Sequence, residues 1–267
     1  MSLTYKEVIE ANIELHRREA KIYDRIHQEI WNSREQKRSW KILRFAVSQV
    51  EGNRFRALDF GSGTGNVTGK LLDLGFEVTA IDLSPEMNKI LKLKYSKDVV
   101  TRKLQILNLN IDKVQMEGDF DFVACFSVLH HLPDYIGTLR KLARLIRKGG
   151  VFYLDFEPAP LFPERNPRFI LNRAVKFSHY FTRSLLNRLY FWSVNLPKLD
   201  YSKADVYADS GDLDYELIIN VLREEGLRIV KFYSYFFADS WFRLPTAPFY
   251  KVVSVPDKTL LIAKKTE

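Results

Sequence analysis

The chain has 267 residues, 46% hydrophobic and 28% charged, a composition that excludes disorder and suits one α/β domain with attachments. No stretch reaches the roughly 18 consecutive apolar residues of a membrane span, and the N-terminus lacks the layout of a secretory signal, so a cytoplasmic protein is expected. A single cysteine, Cys125, excludes an internal disulfide and multi-thiolate metal centres. The net charge of +8 points to an acidic partner: a membrane surface, a nucleic acid or an anionic small molecule.

Residues 1 to about 52 read as helices. Thr4 with Glu7 and Ser33 with Gln36 each form a capping box, and Trp40, Leu43, Val47 and Val50 then recur at helical spacing until Gly52 and Asn53. From Phe55 to Pro158 strands alternate with helices. Strands are predicted over residues 57–60, 76–81, 104–107, 120–126 and 151–154. The clearest helix runs from an Asp134 cap through Ile136, Leu139, Leu142 and Ile146, with Gly149-Gly150 as its stop. Such alternation implies crossover connections and a mainly parallel sheet.

Beyond Pro163 the alternation breaks. Asn166-Pro167 opens a helical stripe of Ile170, Ala174, Phe177, Phe181, Leu185, Leu189 and Trp192. Residues 165–198 carry seven cations and no acid, interleaved with aromatic side chains. Two readings stand: a lid whose stripe packs on the domain, or a peripheral membrane contact with rings among headgroups. A helix over 213–225, a strand over 227–236 and a last strand over 259–263 close the chain.

The most informative segment is Leu58-Asp59-Phe60-Gly61-Ser62-Gly63-Thr64-Gly65. Glycines this dense between strand and helix allow a tight turn and close approach of a ligand to the backbone. Asp82 follows about 20 residues on, where the next strand's end meets the ribose hydroxyls of a nucleoside. The spacing is G-x-G-x-G, not the G-x-G-x-x-G of dinucleotide enzymes, and Asp59 would repel a pyrophosphate. A carboxylate there suits a ligand with a cationic end, such as the amino group and sulfonium of S-adenosylmethionine.

At this point residues 57–68 resemble the first motif of class I S-adenosylmethionine-dependent methyltransferases. Residues 80–87 resemble the second. Residues 121–134 resemble the fourth-strand motif of the small-molecule branch, and Lys148-Gly149-Gly150 before the fifth strand also fits. The resemblance implies a Rossmann-like three-layer sandwich: a mainly parallel seven-stranded sheet whose last strand is antiparallel. It divides the chain into an N-terminal helical cap (1–52), a cofactor-binding core (53–158), a lid or substrate insert (159–212) and a C-terminal helix and strands (213–267).

It also implies contacts. Gly61, Ser62, Gly63, Thr64 and Gly65 would hold the methionine part, with Asp59 near its amino group. Asp82 would bind the ribose, and Leu83 and Met87 would flank the adenine. Asn110 and Ile111 stand where relatives meet the adenine amino group, with Asn108 competing for that place. Cys125, Phe126 and Ser127 would pass the sulfonium through backbone atoms. Tyr23-Asp24 resembles a pair seen on N-terminal helices that fold over the cofactor, although ordinary helix packing explains it equally well.

In-line methyl transfer mainly needs alignment and exclusion of water, while a hydroxyl acceptor calls for a base. His130 and His131 are the candidates, His130 being nearer the strand end. Against this, the pair recurs in the motif whatever the acceptor. Adjacent histidines point apart on a helix, so no metal is expected. Asp155 and Glu157 are predicted to open towards the substrate or to be solvated loop acids. The expected activity is methyl transfer to a small acceptor, hydrophobic or membrane-associated, releasing S-adenosylhomocysteine. A nicotinamide-dependent oxidoreductase and a non-catalytic cofactor-binding module are the alternatives. No nucleic-acid motif accompanies the charge, and nothing in the sequence fixes the oligomeric state.

Overall fold

A computed structural model describes residues 4–52, 55–110, 119–160, 204, 213–237 and 256–267. Its strands are β1 (Arg56–Phe60), β2 (Glu77–Ile81), β3 (Leu104–Leu107), β4 (Phe120–Phe126), β5 (Ile146–Pro158), β6 (Leu227–Tyr235) and β7 (Lys258–Lys265). They lie in the order β3-β2-β1-β4-β5-β7-β6. Neighbours from β3 to β5 run parallel, and β7 runs antiparallel to both β5 and β6. The expected Rossmann-like sheet is therefore present.

The central strands are apolar at successive positions because both faces are covered. Leu58, Val123, Cys125, Phe152, Leu154 and Leu261 enter one core. Their neighbours Ala57, Phe122, Ala124, Val151, Tyr153 and Leu260 enter the other. On the first face lie α8 (Tyr135–Arg144) and α9 (Tyr215–Glu224), through Leu139, Leu142, Ile218 and Leu222. On the second lie α4 (Ser33–Val47), α5 (Asn66–Asp73) and α6 (Pro85–Lys94), through Leu43, Leu71 and Leu91. Each such leucine, fully buried, contributes about 1.5–3 kcal/mol.

Chain order moves outward from β1 to β2 and β3, then returns to β4 on the other side of β1. Open α/β sheets hold their ligands in the crevice at such a switch point, outside the carboxyl ends of the strands. Over this edge lie α1 (Tyr5–Glu19), α2 (Tyr23–Ile26) and α3 (Gln28–Trp31).

Several local expectations change. The Thr4–Glu7 capping box forms, but α4 is capped by Asn32, whose side chain accepts from the N–H groups of Arg34 and Glu35. Asparagine one residue earlier captures the free N–H groups before Ser33 can. Helix α8 ends at Arg144 rather than reaching Gly149. Ile146 already pairs with Phe120, and the chain between Ile146 and Val151 enters β5 across a register shift. Gly149 (φ +79°) serves that entry, and a Cβ on Gly150 would crowd the Phe120 carbonyl.

Ile111 and residues 165–198, the lid or membrane segment, lie outside the described residues. Among the described residues no helix is long and apolar enough to cross a membrane.

Candidate functional site

The glycine loop leaves β1 with Gly61, Gly63 and Gly65 all at positive φ (+71°, +51° and +96°). A Cβ on Gly61 would collide with the Val128 side chain, and one on Gly65 with Leu91. The N–H groups of Gly61 and Ser62 donate to the Ile81 carbonyl at 2.8 and 3.1 Å, fixing the loop to the end of β2. Gly65 then caps α5.

Asp82 sits just beyond β2. One carboxylate oxygen accepts from the Gly63 N–H and the other from the Ser84 N–H, each at 2.8 Å. Each oxygen has two lone pairs, so a second acceptor position remains on each for a vicinal diol.

A recess of about 770 Å³, open mouth included, joins these parts. Gly61 and Gly63 of the glycine loop line it with Asp82, Leu83 and Asn110. Phe126, Ser127, Val128, His131 and Leu132 also line it, as do Ile9, Asn12, Ile13 and His16 of α1. A smaller recess behind the loop is lined by Asp59, Ser62, Thr64, Asn66, Glu29 and Tyr23.

The structure therefore sorts the sequence candidates. Asp82, Leu83, Asn110, Phe126, Ser127, Gly61, Gly63 and Tyr23 face the main recess. Asn108 instead donates to the carbonyls of Asp82 and Leu83, both at 3.0 Å, and steadies the loop that carries them. Met87 is fully buried beneath the first turn of α6 and does not line the recess. Cys125 is also fully buried, its side chain in the core, and burial pushes its thiol pKa well up.

Asp59 lies behind the loop, accepting the Thr68 hydroxyl at 2.5 Å. Burial raises its pKa to about 6. The expected proton acceptors exchange places. His130 is buried, its Nδ1 2.8 Å from Glu157, and burial lowers its pKa. His131, one residue on in the 3-10 turn Leu129–His131, is the histidine that faces the recess.

Asp155 and Glu157 are neither open nor solvated, each being fully buried. Asp155 accepts from Arg38 (2.8 Å), Tyr153 (2.6 Å) and Tyr235 (2.9 Å). Its own carbonyl accepts from the N–H of Ser127 at 2.9 Å, and Ser127 holds a left-handed φ of +59°. Both acids shape the rim from behind. His16 and Asn12 escaped the motifs altogether.

Helix α2 is fastened to the loop. Asp24 accepts the Thr64 hydroxyl at 2.5 Å and pairs with Lys94. The Tyr23 ring stacks on His27 at 3.8 Å. His27 lies 2.9 Å from Glu29 and 3.5 Å from Glu19. Burial disfavours its charge, but the two glutamates outweigh that and lift its pKa to about 9. A raised histidine pKa stabilises fully below the ordinary 6.5, and the gain is lost as pH climbs through the folded value. Thermal unfolding scans between pH 6.5 and 9 should therefore bring wild type and His27→Gln closer together as pH rises. A gap that stays constant would refute the charged His27.

The residues fit a nucleoside with a cationic tail. A Cβ on Gly63 would stand 3.9 Å from the Tyr23 ring, in the cleft between ring and loop. Ser62 Oγ and Asn66 Nδ2 are buried without a hydrogen-bond partner beside the smaller recess, the hydroxyl able to accept from an ammonium and the amide able to donate to the carboxylate of the same methionine tail. Fold and site define a methyltransferase domain of the class I, S-adenosylmethionine-dependent kind.

Comparison with known proteins agrees. The family described as a methyltransferase domain matches residues 58–154. A ubiquinone biosynthesis O-methyltransferase of Xanthomonas campestris pv. campestris is 34% identical over 113 residues, 42% of this chain and 47% of the relative. The chain thus spans about half the length of the curated relatives it matches.

Among solved structures, magnesium protoporphyrin IX methyltransferase from Synechocystis PCC 6803 with bound S-adenosylmethionine has a TM-score of 0.59 at 14% identity, covering 99% of this chain and 100% of the other. An S-adenosylmethionine-dependent methyltransferase from Clostridium acetobutylicum has a TM-score of 0.55 at 13% identity, covering 92% and 99%. At such identities these two share the fold.

Proposed function

We propose that this protein transfers the methyl group of S-adenosylmethionine to a hydroxyl of a small, largely apolar acceptor. The carrying observation is a single recess whose lining combines two kinds of chemistry. One set is Gly61, Gly63, Asp82 and Asn110. The other is Ile9, Ile13, Val128 and Leu132, together with His131. The first set suits a nucleoside, and the second suits an apolar ring or chain beside a group that accepts a proton. The Xanthomonas relative, a ubiquinone biosynthesis O-methyltransferase, supports an oxygen as the methylated atom.

S-adenosylmethionine, when bound, supplies an electrophilic methyl group on a good leaving group. The chain supplies the rest. Asp82 would hold the ribose and the glycine loop the methionine end. Phe126, Ser127 and Val128 would form the wall between donor and acceptor, while α1 keeps water out.

Incubation with S-adenosylmethionine and a panel of alkylphenols and alkylcatechols should yield S-adenosylhomocysteine and the methyl ether. Methylation of amines but no phenol would sink the hydroxyl assignment. Tight NADH binding without uptake of S-adenosylmethionine would sink the transferase itself.

A further inference from the structure

His16 belongs to no motif, yet its ring lines the same recess as Asp82 and His131. Its Nδ1 lies 2.8 Å from the carbonyl oxygen of Asn12, one turn back along α1. A carbonyl can only accept, so Nδ1 carries the hydrogen and the neutral ring keeps its lone pair on Nε2. His131 stands edge-on at 5.6 Å between ring centroids. Its Nδ1 is 3.2 Å from the Ala204 carbonyl, which selects the same tautomer. The Asn12 amide donates to the carbonyls of Val8 (3.0 Å), His131 (3.4 Å) and Ala204 (3.1 Å), so helix and turn share one frame.

We propose that His16 is a catalytic base of this site, taking the acceptor's hydroxyl proton on Nε2, with His131 beside it in the recess. The assignment rests on the methyl-transfer reading of the recess. The acceptor's O–H bond breaks and its proton joins Nε2. The oxygen's electron pair forms the new O–CH3 bond, while the S–CH3 pair stays on the sulfur of the sulfonium donor. The imidazolium then gives its proton to water. One positive charge enters with the sulfonium and one leaves as that proton.

The surroundings keep the base in its working form. Burial lowers the pKa of His16, and His131 from the 3-10 turn lowers it further. Asp82 beyond β2, Glu19 on the same helix and the Asn12 carbonyl oppose the change, with the Tyr23 ring of α2 at 6.2 Å. The net direction is down, so the ring is neutral at pH 7. Turnover should fall as acid protonates it, at a pH below the ordinary 6.5.

The test uses the full chain with S-adenosylmethionine and 4-methylcatechol. His16→Gln should lower kcat by about 10²-fold or more, leave KM for S-adenosylmethionine within about twofold, and remove the acid limb of the kcat–pH profile. Long-range proton–nitrogen NMR of the free protein should show the Nδ1–H tautomer for His16, assigned by the signal missing from His16→Gln.

An Nε2–H tautomer overturns the proposal whatever the turnover. So does a variant that keeps both kcat and the acid limb, or one that loses only donor affinity. Wild-type failure to methylate any phenol, with S-adenosylmethionine still bound, would instead remove the functional reading beneath it.

Discussion

Glu157→Ala should destabilise the protein by about 3–5 kcal/mol, because four buried donors lose their shared acceptor, each at roughly 1 kcal/mol or more. The Glu157 side chain is fully buried. One of its oxygens accepts from the N–H groups of Val128 (2.7 Å) and Leu129 (2.9 Å). The other accepts from the His130 N–H (3.3 Å) and lies 2.8 Å from His130 Nδ1. Burial works to raise its pKa, but His130 and the backbone N–H groups prevail, and the net shift is downward. The carboxylate is therefore charged at neutral pH, and the histidine, neutral through burial, donates to it.

Alanine would leave three N–H donors and a ring N–H facing a cavity, each an unmade bond at a buried site. Glutamine keeps the shape but turns an NH2 towards donors, so it too should destabilise. Because the folded pKa is depressed, the stabilisation is present above the ordinary carboxylate range and fades as pH falls through the folded value. Thermal unfolding followed by circular dichroism should show a drop of about 6–15 °C for the alanine variant. A change under about 1 kcal/mol would mean that the turn does not depend on this acid. The same turn carries His131, so the variant should lose turnover even where it remains folded.

Glu157 also shows where sequence reading stops. Strands β1 to β5 were legible because their runs are apolar, and β1, β2 and the core of β5 adjoin Gly61, Gly75 and Gly150. The cofactor end was legible because Gly61, Gly63, Gly65 and Asp82 are close in sequence and fixed in spacing. Asp155 and Glu157 carry no local sign of burial. The partners that bury Asp155, Arg38 and Tyr235, lie 117 and 80 residues away.

The exchange of His130 for His131 has the same origin. Successive side chains of a 3-10 turn point about 120° apart, and long-range bonding to Glu157 decides which ring turns inward. Ser33 yielded its cap to Asn32, since neighbouring polar residues compete for the same N–H groups. His16 has no spacing relation to any motif; its role appears once α1 crosses the mouth of the recess.

Asp82→Ala should cut affinity for S-adenosylmethionine by about 10²-fold or more, the second of the two largest effects. Its carboxylate has two duties. It accepts the N–H groups of Gly63 and Ser84, joining the glycine loop to the start of α6. Asp82 lines the recess and keeps acceptor capacity on each oxygen, to which a ribose diol would donate two further bonds. Hydrogen bonds to a charged group contribute about 1.5–3 kcal/mol each, so losing the diol contacts alone costs about 3 kcal/mol.

Loss of the Gly63 tether loosens the loop as well, and that part of the effect can be separated. Asp82→Asn retains one acceptor oxygen and a similar size, so it should hold either the loop or the ribose in part and bind with intermediate strength. Calorimetric titration of S-adenosylhomocysteine into wild type and both variants gives the order directly. Equal affinities for all three would mean the ribose lies elsewhere. Destabilisation of Asp82→Ala without loss of affinity would leave Asp82 a purely structural tie between β2 and the glycine loop.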